Sequence, residues 1–392
     1  MFKDVKYRFV CFIFIILIAN LIFFNYQTGI KATQKKHVYL KQDFIIKNLK
    51  DELKMNQNKL AIAENKIKNI KKSFNMMNLT ERIEFYKRKF KIRNIVAYVF
   101  YGRKIYTKIL FRYLDRNLKI NGGILDKVLI CNHLQATKVN ITDESIFLNN
   151  YLEHHKGYEE IKFERVVSFK TLYTVLHDND LVFKIDDDIV FISNNTFETM
   201  LDEYFYNDHL ILSANVVNHH TLSPIHANMQ LMVPFYETHK LQWVKSNDKL
   251  KDYTKRCIYL ANMWKGNPKC GAIAHENFLY HIYQNNFSLS AYNFKLYNFN
   301  AHSHIRWRIN FLLFRGSLVN KMNSMYAKVN TDEEVLTVSI PKKYNKHLFA
   351  LGTAVVAHFS YSNGQVQYLS KTDILNKYDK LSLDYLKNNK FN

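Results

Sequence analysis

Short apolar runs alternate with charged and Asn-rich spacers along this chain, and the spacing of the apolar positions changes character twice. Residues 9–24 are an almost unbroken apolar run in which Asn20 is the one strongly polar member; Lys3, Lys6 and Arg8 precede it, and Lys31, Lys35 and Lys36 follow. A bilayer-spanning helix needs about 17 to 25 residues, so this run sits at the short limit. Asn25-Tyr26-Gln27-Thr28 offers no small-residue cleavage site, which favours an uncleaved anchor over 9–25, with residues 1–8 cytoplasmic, above a cleaved signal peptide. Ile46, Leu49, Leu53, Asn56, Leu60, Ala63, Ile67, Ile70, Phe74 and Met77 then recur at steps of three and four. That period suits a parallel coiled coil, which would make the chain a homodimer with Asn56 fixing register, or one long helix lying on the globule. Residues 26–92 are accordingly expected to be a helical stem.

From 93 onward the period shifts to alternating strand and helix signals. Strands over 95–101, 127–131 and 161–167 interleave with helices over 105–114, 143–154 and 169–176, and a helix over 195–206 precedes a strand over 210–217. Such alternation predicts an α/β domain over 93–385 with a mostly parallel central sheet, whose ligands bind outside the carboxyl ends of the strands. A helix over 277–285 and a strand over 352–360 complete the reading. Within the series, 181–192 is an apolar run rich in Val, Ile and Phe that reads as one buried strand, yet Asp186, Asp187 and Asp188 interrupt its middle. Buried carboxylates need a counter-charge. In an extended chain Asp186 and Asp188 share one face and Asp187 takes the other. Two hard oxygen ligands projecting together suit Mg²⁺ or Mn²⁺, whereas an exposed acidic turn would lack the apolar flanks.

Composition changes the picture in two places. The 392 residues are 47% hydrophobic and 15% aromatic, enough for a large core, and carry a formal charge of +22. That excess first suggests nucleic acid, but the Lys residues are scattered among Asn and Ile, are densest over 31–110, and accompany no zinc-finger or RNA-recognition signature. Four cysteines leave Cys131, Cys257 and Cys270 outside the anchor; beyond a secretory membrane Cys257 and Cys270 are expected to pair, with Cys131 a buried thiol. Acceptor sequons stand at Asn78, Asn140, Asn194 and Asn286. His219, His220 and His226 lie close together in one loop without the cysteines or helical spacing of a zinc site, so that loop reads as structural or as contacting an acceptor.

A second acidic cluster, Asp332-Glu333-Glu334, precedes an apolar helix start. It is either helix N-terminal charge or the source of a general base. His358 is the one histidine of the strand over 352–360.

Together these segments resemble a known ensemble. Lys184-Ile185-Asp186-Asp187-Asp188-Ile189-Val190 is similar to the DxD segment of GT-A glycosyltransferases, in a form close to the beta-1,3-galactosyltransferase group. Asp332-Glu333-Glu334 resembles the xED element of that fold, and Ala357-His358-Phe359 its C-terminal metal-binding histidine. A set of fungal and bacterial GT-A-like proteins carries similar blocks, which stand here at 184–190, 213–218, 306–310 and 357–360. The resemblance implies a Rossmann-like nucleotide-diphospho-sugar transferase domain. Asp186 and Asp188 would bind Mn²⁺ or Mg²⁺, with Asp186 reaching the donor ribose or a metal-bound water, and His358 would be the further ligand. Lys184, Asp186 and Asp187 would bind the donor. Asp332, Glu333 or Glu334 would be the base if transfer inverts the anomeric carbon. The expected partners are a nucleotide sugar, UDP-linked, and a glycan, glycoprotein or glycolipid acceptor; anchor and stem match Golgi-resident transferases facing the lumen. Two other functions use the same features: a membrane tether with a decayed transferase domain, and a metal-dependent phosphodiesterase.

Overall fold

The structure, a computed structural model, describes Lys54 and residues 77–132, 141–163, 168–229, 231, 268–299, 306–320, 331–360 and 362–388. The apolar run at 9–24, the heptad positions 46–74, Asn140 and Cys257 lie outside the described residues. Among the described residues no helix is long and apolar enough to cross a membrane.

The compact unit begins at Asn78. Helix α1 (Leu79–Phe90) opens with a capping box in which Asn78 and Glu81 satisfy each other's backbone donors, so the sequon asparagine is also the helix cap. Tyr86 and Phe90 stack on Phe205 at 4.6 and 4.3 Å, and Arg82 pairs with Asp202 at 2.5 Å. These contacts hold α1 against the globule, ahead of position 93.

Strand β1 (Ile95–Tyr101), helix α2 (Lys104–Asn117), β2 (Lys127–Asn132), α3 (Ile141–His154), β3 (Tyr158–Lys162), α4 (Phe169–Tyr173) and β4 (Leu181–Asp186) follow the expected alternation. Two expectations need correction. Strand β3 starts three residues earlier than 161 because it is a half-exposed edge strand, paired on β2 alone, whose position is set by register rather than by an apolar run. The run 181–192 is two strands: the chain leaves β4 at Asp186, turns through Asp187 and Asp188, and resumes as β5 (Ile189–Ile192).

Helix α5 (Thr196–Tyr206), β6 (Ile211–Val217), α6 (Ser223–Asn228), α7 (Pro268–Gln284), β7 (Leu296–Asn298), β8 (Phe311–Arg315), α8 (Gly316–Asn320), α9 (Asp332–Glu334), a π-helical turn (Val335–Ser339), α10 (Ile340–Tyr344), β9 (Phe349–His358), α11 (Asn363–Leu369) and α12 (Ile374–Asn388) complete the unit. The nine described strands run in the order β3-β2-β1-β4-β8-β6-β9-β5, with β7 also on β9. Strands β1, β2, β3, β4, β6 and β9 point one way; β5, β7 and β8 oppose them. The result is a mixed α/β fold with a mostly parallel sheet.

The acidic turn forces that sheet to curl. In a flat sheet β4 and β5 would stand four strand spacings apart, about 19 Å. Asp186 and Ile189 are joined by three virtual bonds that span at most about 11 Å. Strands β8, β6, β9 and β5 must therefore wrap back toward the end of β4. β9 bends where Gly352, Thr353 and Ala354 are looped out of its register with β6, between the pairs Ala214–Leu351 and Asn215–Val355. Gly352 is required there by close approach: a Cβ would lie 2.0 Å from the Phe294 carbonyl oxygen. We expect Gly352→Ala to destabilise the fold by about 3 kcal/mol in chemical denaturation; a loss within error would remove this role of the bend.

The bend is also stitched by polar groups. The Asn215 carboxamide donates to the carbonyls of Tyr292 and Gly352 at 3.0 and 3.1 Å, so its oxygen accepts from His226 Nε2 at 2.7 Å. Burial lowers the His226 pKa from 6.5 to about 4. The imidazole is thus neutral when folded and protonates more readily when unfolded, so its stabilisation is full above pH 6.5 and drains away as pH falls toward 4. Between pH 5 and 6 the unfolding free energy of the wild type should rise more steeply with pH than that of His226→Gln, by about 1.2 kcal/mol per unit. Equal slopes in urea titrations would contradict this. Of the three loop histidines, His219 and His226 are buried, and His226 has the structural role just described.

Candidate functional site

Parallel strands present their carboxyl ends and antiparallel strands their starts at one edge of a sheet. β1, β4 and β9 end there with Arg103, Asp186 and His358 at or just past their termini, and antiparallel β8 begins there just after Asn310. With the start of α9 they line a cleft of about 490 Å³ that contains Lys184, Asp186, Asp187, Asp188, Arg306, Arg308, Asn310, Asp332, Glu333, His358 and Ser360.

Lys184 pairs with Asp186, while Asp187 and Asp188 share Arg103. Asp186 accepts from the Lys184 ammonium and, at 2.9 Å, from Asn310 Nδ2. Lys184 is two residues back on β4 and so on the same face; it is 2% exposed and also donates to the Ile309 carbonyl at 3.0 Å. Asp187 takes a bidentate fork from Arg103, at 3.1 Å from Nε and 2.6 Å from Nη2. Asp188 meets Arg103 Nη2 at 3.0 Å, His358 Nε2 at 2.9 Å and the Ser360 hydroxyl at 2.7 Å. Arg103 reaches the triplet because it is the N-cap of α2 in an extended conformation with no capping bond of its own, its guanidinium lying 4.8 Å over the Tyr106 ring.

Burial pushes Asp187 up to about 6, against the pull of Arg103. Burial also works against charge on Asp188, but His358 and Arg103 overcome it and hold that carboxyl well below the usual range. The two carboxyls therefore differ, Asp188 being the one fixed as an anion.

One oxygen from Asp186, one from Asp188 and one imidazole nitrogen of His358 lie within 4.8 Å of one another, the one such cluster among the described residues. A cation with bonds of about 2.1 Å joins ligands about 3 to 4.2 Å apart, so little closure is needed. The donor set of two carboxylates and one imidazole fits a hard divalent ion, and on the same cleft Asn310 Oδ1 is buried without a partner.

The second acidic cluster divides by environment. Asp332 lines the cleft, accepts from the Tyr173 hydroxyl at 2.9 Å, and has its pKa raised by burial, with Lys184 pulling the other way. Glu333 also lines it but is gripped by Arg306, at 2.6 Å from Nε, and by Arg308, at 3.2 Å from Nη1. Glu334 is outside the cleft lining, its backbone N–H capped by Thr331.

Lys184, Asp186, Asp187, Asp188, Asp332, Glu333 and His358 are thus brought to one cleft, and Glu334 is not. Sequence reasoning missed Arg103 and Tyr173 and gave no separate role to Asn310 or Ser360. The last two lie inside motif blocks already singled out, at 306–310 and 357–360. Arg103 carried only one signal, its place just past a parallel strand. Cys270 on α7 is disulfide-bonded and Cys131 is a buried free thiol. No protein-family model matches the chain, and no curated protein matches it.

Proposed function

We propose that this chain is a GT-A-type glycosyltransferase that moves a sugar from a UDP-linked donor to a hydroxyl acceptor with the help of Mn²⁺ or Mg²⁺. The observation that carries the reading is the convergence of Asp186, Asp188 and His358 at the carboxyl edge of the sheet, with the separate, buried carboxyl of Asp332 on the same cleft. Asp186, Asp188 and His358 would hold the ion, which when bound supplies charge against the developing negative charge of a leaving diphosphate.

The chain's own residues do the rest. Arg103 and Ser360 keep the Asp188 carboxylate aimed and charged, and Lys184 does the same for Asp186 from below. Lys184 acts as a positioning residue, its ammonium being committed to Asp186 and the Ile309 carbonyl. Asp332 takes the proton of the acceptor hydroxyl: its raised pKa makes it a better base than an ordinary aspartate, and the Tyr173 hydroxyl orients it. Glu333, shared by two guanidiniums, is a poor base. The apolar run at 9–24 anchors the chain with this domain in the lumen of the secretory pathway, where a disulfide such as that on Cys270 persists.

The test is release of UDP from a panel of UDP-sugars by the full chain, with Mn²⁺ and with EDTA, beside bis(4-nitrophenyl) phosphate as a phosphodiester control. Release that needs both metal and one particular sugar is expected. Cleavage of the phosphodiester without UDP release would replace the transferase reading with a phosphodiesterase.

A further inference from the structure

Glu333 stands behind two arginines rather than in front of them. Its carboxylate is 9% exposed, while the Arg306 and Arg308 side chains are 48% and 30% exposed and line the cleft. A substrate in the cleft therefore meets guanidinium before carboxylate. Arg306 spends Nε and Nη2 on Glu333, yet its side chain stays half-exposed on the cleft. Two guanidiniums against one carboxylate leave this trio with a net positive charge, and an arginine held by a counter-ion has lost less freedom when it binds a second one.

On the transferase reading, the diphosphate of a donor is met elsewhere in the cleft, by an ion held at the cluster of Asp186, Asp188 and His358. We propose that Arg306 and Arg308, braced by Glu333, form a subsite for an anionic group of the substrate, a carboxylate, sulfate or phosphate carried on a sugar beyond the diphosphate. The inference rests on the transferase reading and narrows it to acidic saccharides. It also explains why one glutamate of the acidic cluster is sequestered while its neighbour Asp332 stays available as a base.

The experiment is calorimetric titration of the full chain, first loaded with Mn²⁺ and UDP so that the diphosphate position is filled, with sodium sulfate, D-glucuronate and D-glucose. Sulfate and glucuronate should bind and glucose should not. Arg306→Gln should weaken anion binding about tenfold, the worth of one charge-assisted hydrogen bond. Glu333→Gln should tighten it, a change of sign that a merely structural role would not give; should that variant fail to fold, the half-exposed Arg306 keeps the test decisive. Comparing UDP-glucuronate with UDP-glucose assigns the source: a preference for the acidic donor that Arg306→Gln removes puts the charge on the donor sugar, and no preference puts it on the acceptor.

Equal anion affinity in wild type and Arg306→Gln would overturn the proposal. So would exclusion of sulfate by UDP together with weakened UDP binding in Arg306→Gln, because the arginines would then belong to the diphosphate site. If the chain takes up no Mn²⁺ and UDP, the titration without nucleotide separates the two ideas: sulfate binding lost in Arg306→Gln retains the anion subsite and removes the transferase reading.

Discussion

Asp188→Asn is expected to abolish divalent-cation binding and, with it, metal-dependent UDP release. The substitution keeps the volume of the side chain but removes the charge on which His358 and Arg103 converge at 2.9 and 3.0 Å. Residues that merely orient a metal ligand are worth about 10- to 100-fold in affinity, so loss of a direct carboxylate ligand should exceed about 100-fold for Mn²⁺. Turnover should fall by about 1000-fold, the scale seen when charge stabilisation of a transition state is withdrawn. Stability falls as well, because breaking a buried ion pair from one side costs about 3 to 5 kcal/mol. Manganese titration followed by EPR, with thermal melting of the same sample, separates the two effects. A folded Asp188→Asn that binds Mn²⁺ as tightly as wild type would leave the cluster without its proposed purpose.

Asp332→Asn should produce the second largest loss, of a different kind. It removes the proton acceptor and leaves the Asp186, Asp188 and His358 cluster untouched, so kcat is expected to drop by about 100- to 10,000-fold while Mn²⁺ and UDP still bind. Glu334→Gln, outside the cleft, should change turnover by less than about twofold. Burial raises the Asp332 pKa, so the carboxylate must be deprotonated at a pH above the usual aspartate range. Activity should therefore decline as pH falls, with an acid midpoint above about 3.9, and the residual activity of Asp332→Asn should lose that limb. An unchanged acid limb in the variant would assign the base elsewhere.

The two acidic clusters differ in how much of their chemistry could be read in advance. The triplet stood out because three carboxylates inside a Val, Ile and Phe run violate the rule that buried charge needs a partner, and the structure places those partners as Lys184, Arg103 and His358. The strand signal was misleading on one point. Apolar flanks on both sides suggested a single strand of twelve residues, whereas the same composition suits two buried strands joined by a turn. Short apolar runs do not show where a chain changes direction. Strand β8 was missed for the same reason: Phe311–Arg315 is brief, follows a polar stretch and runs against its neighbours, so the alternation of strand and helix gave no place for it.

Asp332-Glu333-Glu334 shows the limit from the other side. Three adjacent acids look alike in sequence, and only packing distinguishes them: Tyr173 and burial make one a candidate base, Arg306 and Arg308 neutralise the next, and the third turns away from the cleft. Local pattern alone determined the α/β alternation, the buried acidic strand end and the existence of a second acidic helix start, because periodicity and the cost of burying charge act over a few residues. Tertiary structure alone decided that Asp186 and His358, 172 positions apart in the chain, would face one another, that the sheet would curl to let Asp188 join them, and that Arg103 would serve the same turn. Those outcomes depend on strand order and register, which are set by the packing of the whole core and are written in no single segment.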